Sequence, residues 1–353
     1  MTTHFRNFMR AAAIAGAALG ASAAGAATTD MFTLSGSVQQ PGIYDRARLE
    51  ALPAEDRNIG SDVYTGTTLG QLLNDAGIAT DPAHKNDALN KLVVATGADG
   101  YKATFSLGEI HPSFGGAGQP HLVAYDINDE PLTFNGFARM ISPEDNARGR
   151  FVSNLASLEV VSAPRLDMAP VGGATSSFEL SGGVANPGTI TTADFSGLDM
   201  MVREVSFMTG GGQRNETFTG YSLWEFLDAR GILTDAGIKN DLLRKALLVT
   251  GSDGYQVAFA LGELSPRFGD PSMNAMIALW DANGPLGDSG FARLVLPGDV
   301  YGGRFVSNIA TMRVVDVTVP QIAPVPLPAG GVLMLTGIMA VAALRRSRRR
   351  DVA

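Results

Sequence analysis

The chain has 353 residues, 45% of them apolar and 18% charged, which is enough to fill the cores of two ordinary domains and excludes a disordered composition. Its formal charge is −8, and setting aside the arginines of the two ends and Asp351 leaves 20 basic residues against 34 acidic ones. So acidic a body repels nucleic acid, which excludes DNA and RNA as partners, and the lack of any cysteine excludes disulfides and thiolate chemistry.

In chain order, Arg6 and Arg10 precede an apolar run from Ala11 to Gly20 and a small-residue stretch, Ala-Ser-Ala-Ala-Gly-Ala-Ala at 21–27. This pattern predicts a secretory signal peptide over 1–26. Residues 30–162 form the first domain. An opening strand, Phe-Thr-Leu-Ser-Gly (32–36), runs to a turn at Pro41-Gly42. Leu69, Leu72, Leu73 and Ala76 then fall at helical spacing ahead of Gly77. Two hairpins follow, one turning at Ala98-Asp99-Gly100 and one at Asn128-Asp129, and Ala-Ser-Leu-Glu-Val-Val closes the unit.

The same series then returns. A Pro- and Gly-rich linker, 163–175, leads into a second domain over 176–318 that repeats the first segment by segment. Gly-Phe-Ala-Arg to Gly-Arg-Phe-Val-Ser-Asn occurs at 136–154 and again at 290–308, and Leu-Gly-Glu at 107–109 and 261–263. The offset grows from 146 to 154, which places about eight extra residues near Phe207–Gln213, where Gly210-Gly211-Gly212 reads as a flexible loop. The expected class is α+β, with two strand-rich copies of one domain and no alternating parallel sheet.

Taken together, these segments resemble the molybdopterin-binding domain of the sulfite-oxidase family over roughly 60–162 and 205–316. The resemblance implies that fold, and for an active member a Cys thiolate on molybdenum and a cluster of His, Arg, Lys and Trp around the pterin. Carried over, the Cys is missing from both copies; Ser206 and Thr209 stand nearest in the second. Asn135 and Ser289 replace the His. Arg139, Arg150, Arg293 and Arg304 remain, whereas Lys and Trp become Ser153 and Asn154, or Ser307 and Asn308. A hydroxyl does not substitute for a soft thiolate at molybdenum. Arg6 and Arg10 also do not form the Arg-Arg pair that exports folded cofactor enzymes. The expectation is therefore no catalytic residue and no cofactor, with a molybdopterin-dependent oxidoreductase lacking the usual Cys ligand as the alternative.

Arg139 with Arg150, and Arg293 with Arg304, suit an anion clamp left from the pterin site; equally, they suit bridges to acids such as Glu144, Asp145 and Asp299. His84, His111 and His121 occur in the first copy alone at no metal-binding spacing.

The tail, Val325-Pro326-Leu327-Pro328-Ala329 followed by an uncharged stretch at 330–344 and five arginines, resembles the VPLPA variant of the PEP-CTERM sorting signal over 325–350. Fifteen apolar residues span about 22 Å as a helix, short of a bilayer core of about 30 Å. The resemblance implies a Gram-negative host, a membrane sorting protease as partner and release toward the cell surface. The function expected is an exported, surface-directed binding or structural protein that holds a small anion, a glycan or another protein.

Overall fold

The computed structural model describes residues 28–115, 120–133, 136–165, 172–269 and 275–317. The predicted signal peptide, the sorting tail with its apolar segment, and Asn135 lie outside them. Among the described residues no helix is long and apolar enough to cross a membrane. The fold is mostly β, with few and short helices, which makes it more strand-dominated than the expected α+β class.

In the first copy the strands are β1 (Met31–Gly36), β2 (Gly42–Asp45), β3 (Glu55–Ile59), β4 (Asp62–Thr68), β5 (Lys91–Gly97), β6 (Lys102–Ser106), β7 (Leu122–Ile127), β8 (Glu130–Pro131), β9 (Arg139–Ile141) and β10 (Leu155–Ser162). One sheet runs β2-β1-β10-β5-β6; the other runs β3-β4-β7-β8, with β9 also on β7. All pairings in these sheets are antiparallel except β1 with β10. The second copy repeats this order with β11 (Phe178–Gly182), β12 (Gly188–Ile190), β13 (Met200–Thr209), β14 (Gly212–Ser222), β15 (Lys245–Gly251), β16 (Gln256–Ala260), β17 (Met276–Asp281), β18 (Gly284–Pro285), β19 (Arg293–Val295) and β20 (Ile309–Asp316).

Local chemistry sets these elements. The helices are α1 (Arg46–Glu50), α2 (Leu69–Ala76), α3 (Leu107–Ile110), α4 (Leu223–Ala229) and α5 (Leu261–Leu264). α2 coincides with the predicted segment. Thr68 opens it with a capping box, its hydroxyl accepting from the Gln71 N–H at 3.1 Å while Gln71 Oε1 accepts from the Thr68 N–H at 3.1 Å. Gly77 ends it at φ 67°, and Leu69, Leu72, Leu73 and Ala76 are buried. Both predicted Asp-Gly hairpins form, Asp99 and Asp253 each accepting at 3.0 Å from the backbone N–H of the tyrosine two residues on.

The extra residues of the second copy lengthen the β13–β14 hairpin. Gly210–Gly212 is a tight turn rather than a flexible loop: Thr209 pairs with Gly212, and the Thr209 hydroxyl both donates to Gly212 O and accepts from the Gly211 N–H. Apolar residues on the exposed face of β13, Met200, Val202 and Met208, as well as on its covered face, hide this strand from a reading based on apolar periodicity.

The linker is fastened at both described ends. Asn90 and Ala163 exchange hydrogen bonds, and Ser252 holds Gly173. Arg165 donates to Asp87 at 2.8 Å; Asp87 also pairs with Lys91 at 2.9 Å and accepts from the Asp81 N–H at 3.0 Å. Burial pushes the Asp87 carboxyl up, but these donors overcome it and hold it at about 2, below its ordinary 3.8. A depressed acid stabilises the fold above its unfolded pKa and loses that contribution as pH falls through the folded value. Asp87→Asn is therefore expected to lower stability at neutral pH and to flatten its pH dependence between 3.8 and about 2, as read from urea unfolding at stepped pH.

Candidate functional site

The repeated motifs converge on the seam between the two copies rather than on two separate pockets. Each copy brings there the residue pair Lys-Asn ahead of β5 or β15 (Lys85-Asn86, Lys239-Asn240), the Asp-Gly-Tyr hairpin, the Leu-Gly-Glu helix α3 or α5, and the Gly-Arg segment. The contacts are reciprocal. Asn86 donates to Tyr255 Oη at 3.1 Å and Asn240 to Tyr101 Oη at 2.9 Å; the two hydroxyls donate onward to Gly303 O and Gly149 O at 2.6 and 2.5 Å. Both asparagines sit in the left-handed region, at φ 52° and 53°, which Asn tolerates better than most residues. Leu89 and Phe114 pack into the second copy's core, and Leu243 and Phe268 into the first copy's.

At the centre lie two arginines. Arg150 donates through Nε and Nη2 to Asp145 at 2.8 and 2.6 Å and through Nη1 to Glu109 at 2.6 Å. Arg304 binds Asp299 through Nε and Nη2 at 2.8 and 2.5 Å and reaches Glu263 through Nη1. Their residues are 3% and 0% exposed, so each charge is compensated inside the protein. Each arginine pairs within its own copy yet lays its stem on the other. A Cβ on Gly108 would stand 2.5 Å from Arg304 Cδ, and one on Gly262 3.0 Å from Arg150 Cδ. Glycine in Leu-Gly-Glu makes room for the partner's arginine, and the adjacent glutamate binds its own.

The charges here are unequal. Burial pushes the Glu109 carboxyl up, but Arg150 and then His121 overcome it and hold it at about 2. His121 Nε2 lies 3.4 Å from Glu109 Oε2, its ring edge-on to Phe105. Burial raises the Glu263 carboxyl, with Arg304 opposing and Glu109 adding to the rise. Asp145 and Asp299 are likewise raised by burial against the pull of their arginines. Ser106 donates to Glu263 Oε2 at 2.7 Å and caps α3; Ala260, its counterpart, does neither.

Arg139 and Arg293 do not join Arg150 and Arg304 in this cluster. Arg139 lies over Phe151 at 5.9 Å, and Arg293 over Phe218 at 5.3 Å with Phe207 and Phe305 at 5.9 Å. The Arg293 Nη1 is 3.6 Å from Glu216, and both Nε atoms are buried without a hydrogen-bond partner. The structure thus gives Arg150 and Arg304 the ion-pair role of the two considered. Asp145 and Asp299 are the acids concerned, with Glu109 and Glu263 added. An anion clamp made of Arg139 with Arg150, or Arg293 with Arg304, would need guanidinium groups that two carboxylates already occupy.

Ser206, Thr209 and Asn154, also singled out by the sulfite-oxidase resemblance, are engaged locally. Ser206 accepts from Gln213 and Thr209 closes the β13–β14 turn. Asn154 and Asn308 take φ 52° and 50° just before β10 and β20, and Asn154 Oδ1 accepts from the Thr29 N–H at 2.7 Å. No group of three His, Asp or Glu residues able to hold a metal occurs among the described residues. With no thiolate and with both Gly-Arg arginines neutralised, the residues present do not fit molybdopterin. Leu-Gly-Glu and Lys-Asn-Asp, repeated in both copies, were the sequence signal for the seam, but their role depends on knowing that the copies face each other.

No family model matches the chain, and no curated protein does. Among solved structures it is similar to the sulfane dehydrogenase SoxCD from Paracoccus pantotrophus, with 12% identity over 79% of this chain and 77% of that one and a TM-score of 0.29.

Removing one partner of a buried, hydrogen-bonded ion pair costs about 3–5 kcal/mol. Arg150→Ala and Arg304→Ala are each expected to lose stability in that range by denaturant titration, and Gly108→Ala to lose stability by displacing the Arg304 stem. Losses within about 0.5 kcal/mol, as for ordinary surface changes, would show that the ion pairs do not hold the seam.

Proposed function

We propose that the protein is an exported, surface-directed binding or structural module without catalytic activity, built from two copies of a sulfite-oxidase-type molybdopterin-binding fold that have become one body. The single observation that supports this most strongly is the closure of Arg150 and Arg304 by four buried carboxylates, Glu109, Asp145, Glu263 and Asp299. Groups the resemblance would assign to a cofactor are used to join the copies. A small anion, a glycan or a protein is then the class of partner, bound on the surface of a rigid body rather than turned over. The route outward rests on the sequence: the signal peptide at 1–26, and at 325–329 the sorting motif a membrane protease would recognise.

Protein purified from its native host should contain no molybdenum and no pterin by elemental analysis and fluorescence, and its intact mass should lack everything before about Ala27 and after about Ala329. Molybdenum near one atom per copy would replace the module reading with the oxidoreductase. Retention of Arg345–Arg350 would remove sorting and leave a thin anchor.

A further inference from the structure

The seam is reciprocal almost throughout, and where it is not, a groove opens. Its volume is about 510 Å³, and its walls come from both copies: Lys85, His111 and Phe114 from the first, Met208 and Tyr301 from the second. This is within the range of small-molecule sites, about 300–1,000 Å³. Lys85 and Phe114 have identical counterparts, Lys239 and Phe268, whereas the other three wall residues differ between the copies. The counterparts of His111 and Tyr301 are Ser265 and Ala147, and Met208 belongs to the lengthened β13–β14 hairpin. The hairpin is held in place, because Met208 N–H donates to Val300 O and Tyr301 N–H donates to Ser113 O across the seam.

The lining has a definite chemistry. It contains no acid, in a protein whose net charge is −8. Lys85 makes no ion pair among the described residues. His111 Nδ1 accepts from the Ser113 N–H at 3.1 Å, which leaves the proton of the neutral ring on Nε2, and burial favours that neutral form. Tyr301 and Met208 remain 44% and 36% exposed, a flat apolar surface beside two donors. Rings stack on such surfaces, and a carboxylate gains most from an ammonium and an N–H placed together.

We infer that this groove binds a small carboxylate carried on a ring, with the ring against Tyr301 and Met208 and the carboxylate at Lys85 and His111 Nε2–H. The inference rests on the binding-module reading and gives it a ligand class. Benzoate and glucuronate, titrated into the purified chain by calorimetry, distinguish an aromatic from a sugar ring, and benzamide tests the charge.

At least one of the two acids should saturate the chain at one site, and benzamide should bind at least about tenfold more weakly than benzoate wherever benzoate binds. Lys85→Gln and Tyr301→Ala should each weaken binding about tenfold or more while leaving the melting temperature unchanged. Lys239→Gln, at the equivalent place in the other half of the seam, should change nothing. Saturation by neither acid, benzamide matching benzoate, or binding indifferent to both Lys85→Gln and Tyr301→Ala would each overturn the assignment. Those results leave the module reading standing, since that falls only on the metal and pterin content.

Discussion

Two buried arginines, each held by a pair of carboxylates, set the architecture of this protein. An ion pair removed from water must be matched almost completely by its surroundings, or the fold loses several kcal/mol. Here each copy supplies the acids for its own arginine, and the other copy supplies the surface that covers its stem. Arg150 takes its acids from the first copy and its packing surface from Gly262 of the second, and Arg304 does the converse on Gly108. The tyrosine–asparagine pairs and the fixed ends of the linker serve the same seam.

What the sequence disclosed and what it concealed follow the range of the interactions. The helix at Leu69–Ala76 was legible because its four apolar residues, Thr68 and Gly77 are all local signals. The Asp-Gly hairpins were legible for the same reason. The β3–β4 and β13–β14 hairpins were not, since polar side chains fill Glu55–Ile59 and most of β14, and the apolar residues of β13 stand on both of its faces. The parallel pairing of β1 with β10 joins residues over a hundred positions apart and leaves no local trace. At the candidate site, repetition marked Arg150 and Arg304 as important but left their role open between an anion clamp and an ion pair. Arg139 and Arg293 looked equivalent to them in sequence, yet they lie against aromatic rings, with one carboxylate, Glu216, 3.6 Å from Arg293, in place of a closed carboxylate pair. Only the meeting of the two copies separates these roles.

The seam also explains how a site can arise in a repeated chain without being repeated. Differences tolerated at Tyr301, His111 and the β13–β14 hairpin lie at the rim, away from the charged centre that both copies must keep. Within the centre His121, which stands beside Glu109 where the second copy has Ala275, is one exception and Ser106 is the other. Ser106 satisfies Glu263 across the seam, a contact for which Ala260 offers no return.

Reciprocal contacts of this kind are those of an isologous two-fold dimer, in which one patch meets its own image. In a dimer of identical chains every substitution appears on both sides of the axis at once, so an off-axis groove between the partners cannot be made singly and occurs twice. Joining the two partners end to end removes that restriction. The tether also keeps the partners together at any dilution, so the pairing no longer depends on how much protein the cell makes. That independence from concentration follows directly from the 163–175 linker.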